Sequence, residues 1–314
     1  MGLFSGKCRS AARLDGKTVI ITGSNTGIGK TTAIDLFKRG AHVIMACRNT
    51  YKGQEAVKDI CNLYNNSNNS KDLGQLEVVE LNLCNLHSIK ECSKQILQKH
   101  RRIDILINNA GVMCCPYGKT EDGFETQFSS NYLGHFLLTI LLLPRMIECK
   151  SARIINVSSV AHKMGKIDFN DLNWDSKPYS ALEAYQQSKL CQLLFTKELH
   201  RRLTEAHVEG VNVYSLHPGV ITTELGRHLN KTYFFGVRWL LSFVRIFFKT
   251  PEQGAQTTIY CAVDETTGKE SGLYYSDCRP VEPSKNAENV NDARTLWKVS
   301  LKMVKLPKYN PFIV

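Results

Sequence analysis

Short apolar runs alternate with stretches of helical period along most of this chain, and that alternation limits its fold more than any other feature. The runs cover residues 18–22, 42–47, 76–81, 103–107, 153–157 and 211–216, with a weaker one at 273–275. Helical patterns span 28–39, 52–63, 86–100, 123–149, 182–203 and 252–263. Near-continuous apolar strands separated by helices need cover on both faces, which means a parallel sheet flanked by helices. The expected fold is α/β, a doubly wound Rossmann fold with a mostly seven-stranded parallel sheet and a C-terminal lid region. A length of 314 residues suits one such domain. Within it, 17–278 reads as the Rossmann core, 224–250 as an apolar lid or membrane-contact segment, and 279–314 as an extension with a short helix and a loose end. The Asn-rich stretch 62–74 reads as an insertion away from the chemistry.

Charge and cysteine content narrow the partners. The chain carries 40 Lys+Arg against 29 Asp+Glu, a net charge of +11. That balance suits an anionic cofactor or an anionic membrane surface. There is no long basic block and no zinc-finger spacing, so no nucleic-acid partner is expected. Eleven cysteines at irregular spacing, with Cys114-Cys115 adjacent and no C-x-x-C, argue against a disulfide framework or a zinc site. Reduced thiols and no metal are expected. Residues 1–17 are mixed and basic without an apolar run, unlike a signal peptide or a membrane span. The expected location is the cytoplasmic side, peripheral to an intracellular membrane such as endoplasmic reticulum or lipid droplet, and not secreted.

The first run leads into Gly23-Ser24-Asn25-Thr26-Gly27-Ile28-Gly29 and then a helix. Glycines there permit a tight turn and a close backbone approach to a pyrophosphate, and the helix start offers free N–H groups. Gly23, Asn25, Thr26, Gly27, Ile28 and Gly29 are therefore cofactor candidates. The second run ends in Met45-Ala46-Cys47-Arg48 with no carboxylate to hold ribose hydroxyls. Arg48 suits a 2′-phosphate through its planar fork, which favours NADP(H) over NAD(H). The plain alternative is a solvated surface arginine. Asn109, Ala110 and Gly111 follow the fourth run, where small residues let the backbone approach a ribose. Pro218, Gly219 and Val220 follow the sixth, and Thr223 is placed to bond a carboxamide or phosphate.

Tyr185 and Lys189 stand four apart in a helical stretch and share a face. A phenol titrates at about 10, and an ammonium beside it favours the phenolate, bringing it toward working pH. The pair alone is weak evidence, because such spacings arise in many helices. Its order after Gly23–Gly29, Asn108-Asn109-Ala110-Gly111 and Asn156-Val157-Ser158-Ser159 is the strong signal.

Together these segments resemble the short-chain dehydrogenase/reductase family over most of the chain. The resemblance implies that Tyr185 is the acid/base and that Lys189 holds the nicotinamide ribose and tunes the tyrosine. It implies that a serine polarises the substrate oxygen. Ser158 and Ser159 compete for that role, and alignment of the motif favours Ser159. Asn131, in Ser129-Ser130-Asn131-Tyr132, matches the asparagine that supports a water-linked proton path. His135, His162 and His217 read as packing or pocket residues. Segments such as Ala46-Cys47-Arg48-Asn49 and Gly134-His135-Phe136-Leu137 resemble the retinol dehydrogenase 11-to-14-like subgroup. That implies NADP(H) and a lipophilic carbonyl or alcohol, retinal/retinol first, with lipid aldehydes, steroids or isoprenoids as alternatives. A non-catalytic cofactor-binding sensor is a further reading, and a homodimer is an expected assembly. Asn82, before Leu83, replaces the family's usual aspartate at the adenine. Many relatives also begin with a hydrophobic anchor, which this sequence lacks. The aromatic stretch 233–248, with Lys231, Arg238, Arg245 and Lys249 on one stripe if helical, suits a greasy lid touching a membrane.

Overall fold

The computed structural model describes residues 6–64, 72–221 and 249–313. Thr223 and almost all of the 224–250 segment, including Lys231, Arg238 and Arg245, lie outside the described residues. The elements run β1 (Thr18–Thr22), α1 (Gly27–Lys38), β2 (His42–Cys47), α2 (Thr50–Tyr64), β3 (Gln75–Glu80), α3 (Leu86–Lys99), β4 (Ile105–Asn108), α4 (Gly134–Glu148), β5 (Ala152–Val157), α5 (Ala181–Glu205), β6 (Val211–His217), α6 (Pro251–Val263), β7 (Tyr274–Ser276), β8 (Arg279–Pro280) and α7 (Val290–Met303). The strands form one sheet in the order β3-β2-β1-β4-β5-β6-β7-β8. The first seven are parallel, and β8 pairs antiparallel with β7.

The alternating faces of the strands separate two cores. Ile20, Ile44 and Leu106 pack with α3, α4, α5 and α7. Val19, Ile21, Val43 and Met45 pack with α1, α2 and α6 on the other side. A period of two sends successive side chains to opposite layers, which is why the strands read as unbroken apolar runs. Strand order reverses between β1 and β4, so a crevice opens at their carboxyl ends.

Three expectations are corrected. The sheet has eight strands rather than seven. Asp277 and Cys278, both at positive φ, make a tight turn that folds Arg279–Pro280 back on β7. An exposed arginine followed by a proline carries no strand signal, and proline is tolerated at a sheet edge. The stretch 123–149 is not one regular helix. Gly123 turns at φ +84°, and the Glu125 carboxylate accepts from the N–H groups of Gln127 (2.9 Å) and Phe128 (2.6 Å), starting a short helix at Thr126. A π-helical turn, Ser129–Leu133, then leads into α4. Finally, the C-terminal extension is not loose. Trp297 on α7 stacks on Phe195, meets the edge of Phe136 and stacks on Phe312 near the chain end. Their separation in sequence hid this contact.

Candidate functional site

The crevice at the β1/β4 switch is a cleft of about 950 Å³. Its floor is the glycine-rich turn. Gly23 and Gly27 adopt φ +66° and +55°. A Cβ on Gly29 would sit 2.5 Å from the Gly23 carbonyl oxygen and 2.6 Å from Asn109 Nδ2, so the turn closes only with glycine there. Thr26, the N-cap of α1, makes no side-chain capping bond, and the first turn has no acidic residue. The N–H groups of that turn are thus left for an anion. Asn25, Thr26, Ile28 and Gly29 line the cleft beside them.

Thr22 organises the next wall. Its Oγ1 accepts from the N–H groups of Asn109 and Ala110, each at 2.9 Å. Asn109 Nδ2 returns a bond to the Thr22 carbonyl at 2.8 Å. The Asn109-Ala110-Gly111 turn is therefore tied to β1, and Asn109, Ala110 and Gly111 all face the cleft.

Beyond β2, Arg48 lines the cleft, is exposed, and makes no ion pair or hydrogen bond among the described residues. Lys52 lines the same end. Lys30 also reaches the cleft but is paired with Asp59 at 2.7 Å. Asn82 and Leu83 form a neighbouring wall. Asn82 Oδ1 accepts from the Cys84 N–H at 3.1 Å, so one lone pair of that oxygen is committed to the turn.

At the far end stand Ser159, Tyr185 and Lys189. Ser158 and Ser159 part company here. Ser158 is buried and its hydroxyl donates to the Lys189 carbonyl at 2.8 Å, a bond holding β5 to α5. Ser159 lines the cleft with Tyr185, its Oγ accepting from the Ala161 N–H at 3.2 Å, and its side chain favours the ionised form of the Tyr185 phenol. Lys189 Nζ lies 5.7 Å from the Tyr185 ring centroid and donates to the Val157 carbonyl at 3.0 Å. Burial drives both titrations. It pushes the Tyr185 phenol up to about 12, opposed by the Ser159 bond, and the Lys189 ammonium down to about 8. The lowering expected from Lys189 is not seen in the protein alone: withdrawal from water raises the phenol and is the larger effect.

Asn131 sits in the π-helical turn, fully buried and behind the cleft rather than on it. Its side chain donates to the Val112 carbonyl (2.9 Å) and Ser188 Oγ (2.8 Å), and its Oδ1 accepts from the Val112 N–H (2.8 Å). It locks the segment after β4 to α5. Pro218 and Gly219 line the cleft, and Gly219 at φ +96° packs on the Lys249 side chain. Val220 is exposed just outside, where Ile221 takes the wall instead. Lys249 is not on a helical stripe: it pairs in a short bridge with Ile221, and its ammonium meets Asp277. His217 also reaches the cleft, but burial and the nearby Lys249 hold its imidazole down to about 4, and its Nδ1 accepts from the Val160 N–H at 3.2 Å. His135 and His162 are buried. The sequence reading passed over Thr22, Lys52, Ser130 and Val112, which also line the cleft. Only the position of Thr22 directly before Gly23 hinted at its part.

The model of the family described as short chain dehydrogenase matches residues 17–233. The chain belongs to that family. Relatives within it are similar over nearly the whole length. Mouse retinol dehydrogenase 13 is 48% identical over 303 residues, covering 96% of this chain and 87% of its own. Human retinol dehydrogenase 11 is 46% identical, covering 97% and 91%. A solved structure of an uncharacterised protein from Mycobacterium paratuberculosis superposes with a TM-score of 0.75 at 36% identity, covering 96% of this chain and 98% of that one. L-sorbose reductase from Gluconobacter frateurii, solved with NADPH and L-sorbose, shares the fold at a TM-score of 0.64 and 19% identity, covering 85% and 96%. Membership makes this chain an NAD(P)-dependent oxidoreductase, and its uncapped α1 N-terminus and glycine floor fit a dinucleotide pyrophosphate.

Proposed function

We propose that the chain interconverts a lipophilic carbonyl and its alcohol with NADP(H), with retinal and retinol as the preferred pair. The observation that carries this reading is the Ser159–Tyr185–Lys189 group at one end of a dinucleotide-sized cleft. When bound, the cofactor supplies or accepts the hydride. The residues supply the rest. Ser159 holds the developing oxyanion of the substrate, where a preorganised donor is worth about 10²–10³ in rate. Tyr185 gives a proton to the oxygen in reduction and takes it in oxidation. Burial favours the protonated phenol, the form that can donate. Lys189 supplies positive charge beside it and a hand-hold for a ribose. Asn131 keeps the Val112 segment and α5 in register around them.

The cofactor preference rests on Arg48 and Lys52, two cations without an ion pair among the described residues where a carboxylate would select NAD(H). Lipophilic substrate is supported by exposed apolar side chains near the site residues in sequence. Val160 and Met164 follow Ser159, Leu182 lies one turn before Tyr185, and Val220 follows Gly219. The same exposed side chains, with the net charge of +11, support peripheral contact with an intracellular membrane. Among the described residues no helix is long and apolar enough to cross one.

The test is retinol formation from all-trans-retinal by purified protein in lipid or detergent, with NADPH or NADH. Fast turnover favouring NADPH supports the full reading. Fast turnover only of steroids, lipid aldehydes or isoprenoids moves the protein to a broader carbonyl reductase. NADPH binding without turnover of any carbonyl sinks the catalytic reading and leaves a cofactor sensor.

A further inference from the structure

His42, Glu77 and His100 meet at the end of the sheet opposite the cleft. They come from the first residue of β2, the middle of β3 and the C-cap of α3. His42 Nε2 lies 3.1 Å, and His100 Nε2 3.2 Å, from the same oxygen, Glu77 Oε2. All three atoms fall within 4.8 Å of one another. A four-coordinate zinc ion, with bonds of about 2.0–2.1 Å, sets its ligand atoms about 3.3 Å apart. Two edges of this triangle already match that spacing.

Burial points the same way. The His100 side chain is 8% exposed, and its Nε2 makes no hydrogen bond of acceptable geometry among the described residues. A buried ring nitrogen directed at a carboxylate but left unsatisfied is costly, and a cation between the two would satisfy it. The His42 side chain remains 27% exposed, and a surface cleft lined by Glu77, Gln95, Gln98 and Lys99 gives an ion and its waters a way in.

We propose that His42, Glu77 and His100 form a binding site for a divalent d-block cation of zinc type, completed by water. Two imidazoles and a carboxylate suit such an ion better than magnesium or calcium, which prefer all-oxygen shells. The site lies roughly 16 Å along β2 from the cleft. The cation therefore has no part in hydride transfer and acts as a clasp joining β2, the edge strand's neighbour, to β3 and α3. Among the described residues Lys99 competes for the carboxylate, its ammonium lying 2.7 Å from the other oxygen, Glu77 Oε1.

The site is tested on the full chain, stripped with a chelator and titrated with Zn²⁺ by calorimetry and with Co²⁺ by visible absorption. The expected result is one equivalent bound, with cobalt bands free of thiolate charge transfer. Tm should rise by about 5 °C at a hundredfold excess over Kd. His42→Gln and Glu77→Gln should each weaken binding at least tenfold, and Lys99→Gln should tighten it severalfold by removing a like charge. His42 is the least buried ligand, so its variant stays informative if a His100 variant misfolds. Absence of stoichiometric binding overturns the proposal and leaves a hydrogen-bonded carboxylate. Binding unchanged in His42→Gln, or carrying thiolate charge transfer, assigns the metal to cysteines and overturns it equally.

Discussion

His135 Nε2 and Thr22 Oγ1 lie 2.8 Å apart, both fully buried, where β1 meets the start of α4. The Thr22 oxygen already accepts two N–H bonds, so toward the ring it can only donate, and Nδ1 carries the proton, 3.0 Å from the Asn131 carbonyl and 3.3 Å from Gln192 Nε2. Nε2 then accepts from the Thr22 hydroxyl, which itself accepts from Asn109 and Ala110. One neutral imidazole thus joins the cofactor-side turn to the π-helical turn that holds Asn131. Burial keeps that ring neutral, with its titration pushed down to about 4.

Replacing this ring should cost stability. His135→Leu strands a buried hydroxyl, and the loss is expected to be about 1–3 kcal/mol. Urea unfolding of the cofactor-free protein measures it. An unchanged midpoint would mean that the joint carries no load.

Tyr185→Phe should reduce carbonyl turnover more than about 100-fold, the range lost with a general acid. Fluorescence titration should show NADPH binding within about threefold of the parent, because only the proton-transferring hydroxyl is removed. Ser159→Ala should lose about 10²–10³ in kcat, whereas Ser158→Ala should act mainly on stability through its bond to the Lys189 carbonyl. Equal kinetic losses at both serines would undo the separation of their roles.

Arg48→Ala should cut kcat/KM for NADPH about 10–100-fold while leaving NADH nearly unchanged, the size expected for losing a charge-assisted hydrogen bond to phosphate. Parallel losses with both cofactors would point to a folding defect or to a purely general field.

Lys189 makes a pH prediction. Its titration falls from an ordinary 10.5 to about 8 through burial. Between those values the unfolded chain holds a proton that the folded protein lacks, so stability rises with pH across that window. Below pH 8 the buried ammonium costs up to about 3 kcal/mol. Lys189→Met should therefore be more stable than the parent at pH 7, with the difference shrinking as pH rises from 8 to 10.5. Urea midpoints across that range check the sign, and a difference that grows with pH would refute it.

The alternation of apolar runs was enough to fix a parallel sheet with helices on both faces, because strand burial on two sides writes itself into composition along the chain. The turns after β1, β4 and β5 were legible for a related reason: only glycine or small side chains fit where backbone approaches backbone, as at Gly29 against Gly23 and Asn109. The π-helical turn at Ser129–Leu133, the β7–β8 turn and the packing of Trp297 on Phe195 and Phe136 were not legible. Each depends on contacts between residues distant in sequence or on a local conformation with no periodic signal. Between the adjacent Ser158 and Ser159 the motif favoured Ser159, but sequence alone gave neither side chain a direction. Both line the cleft, but the Ser158 hydroxyl is committed to the Lys189 carbonyl, whereas Ser159 Oγ accepts from the Ala161 N–H. The titration of Tyr185 likewise belonged to the tertiary structure. Sequence showed the lysine four residues on, but only packing determined how far both groups are withdrawn from water, and that withdrawal is the larger effect.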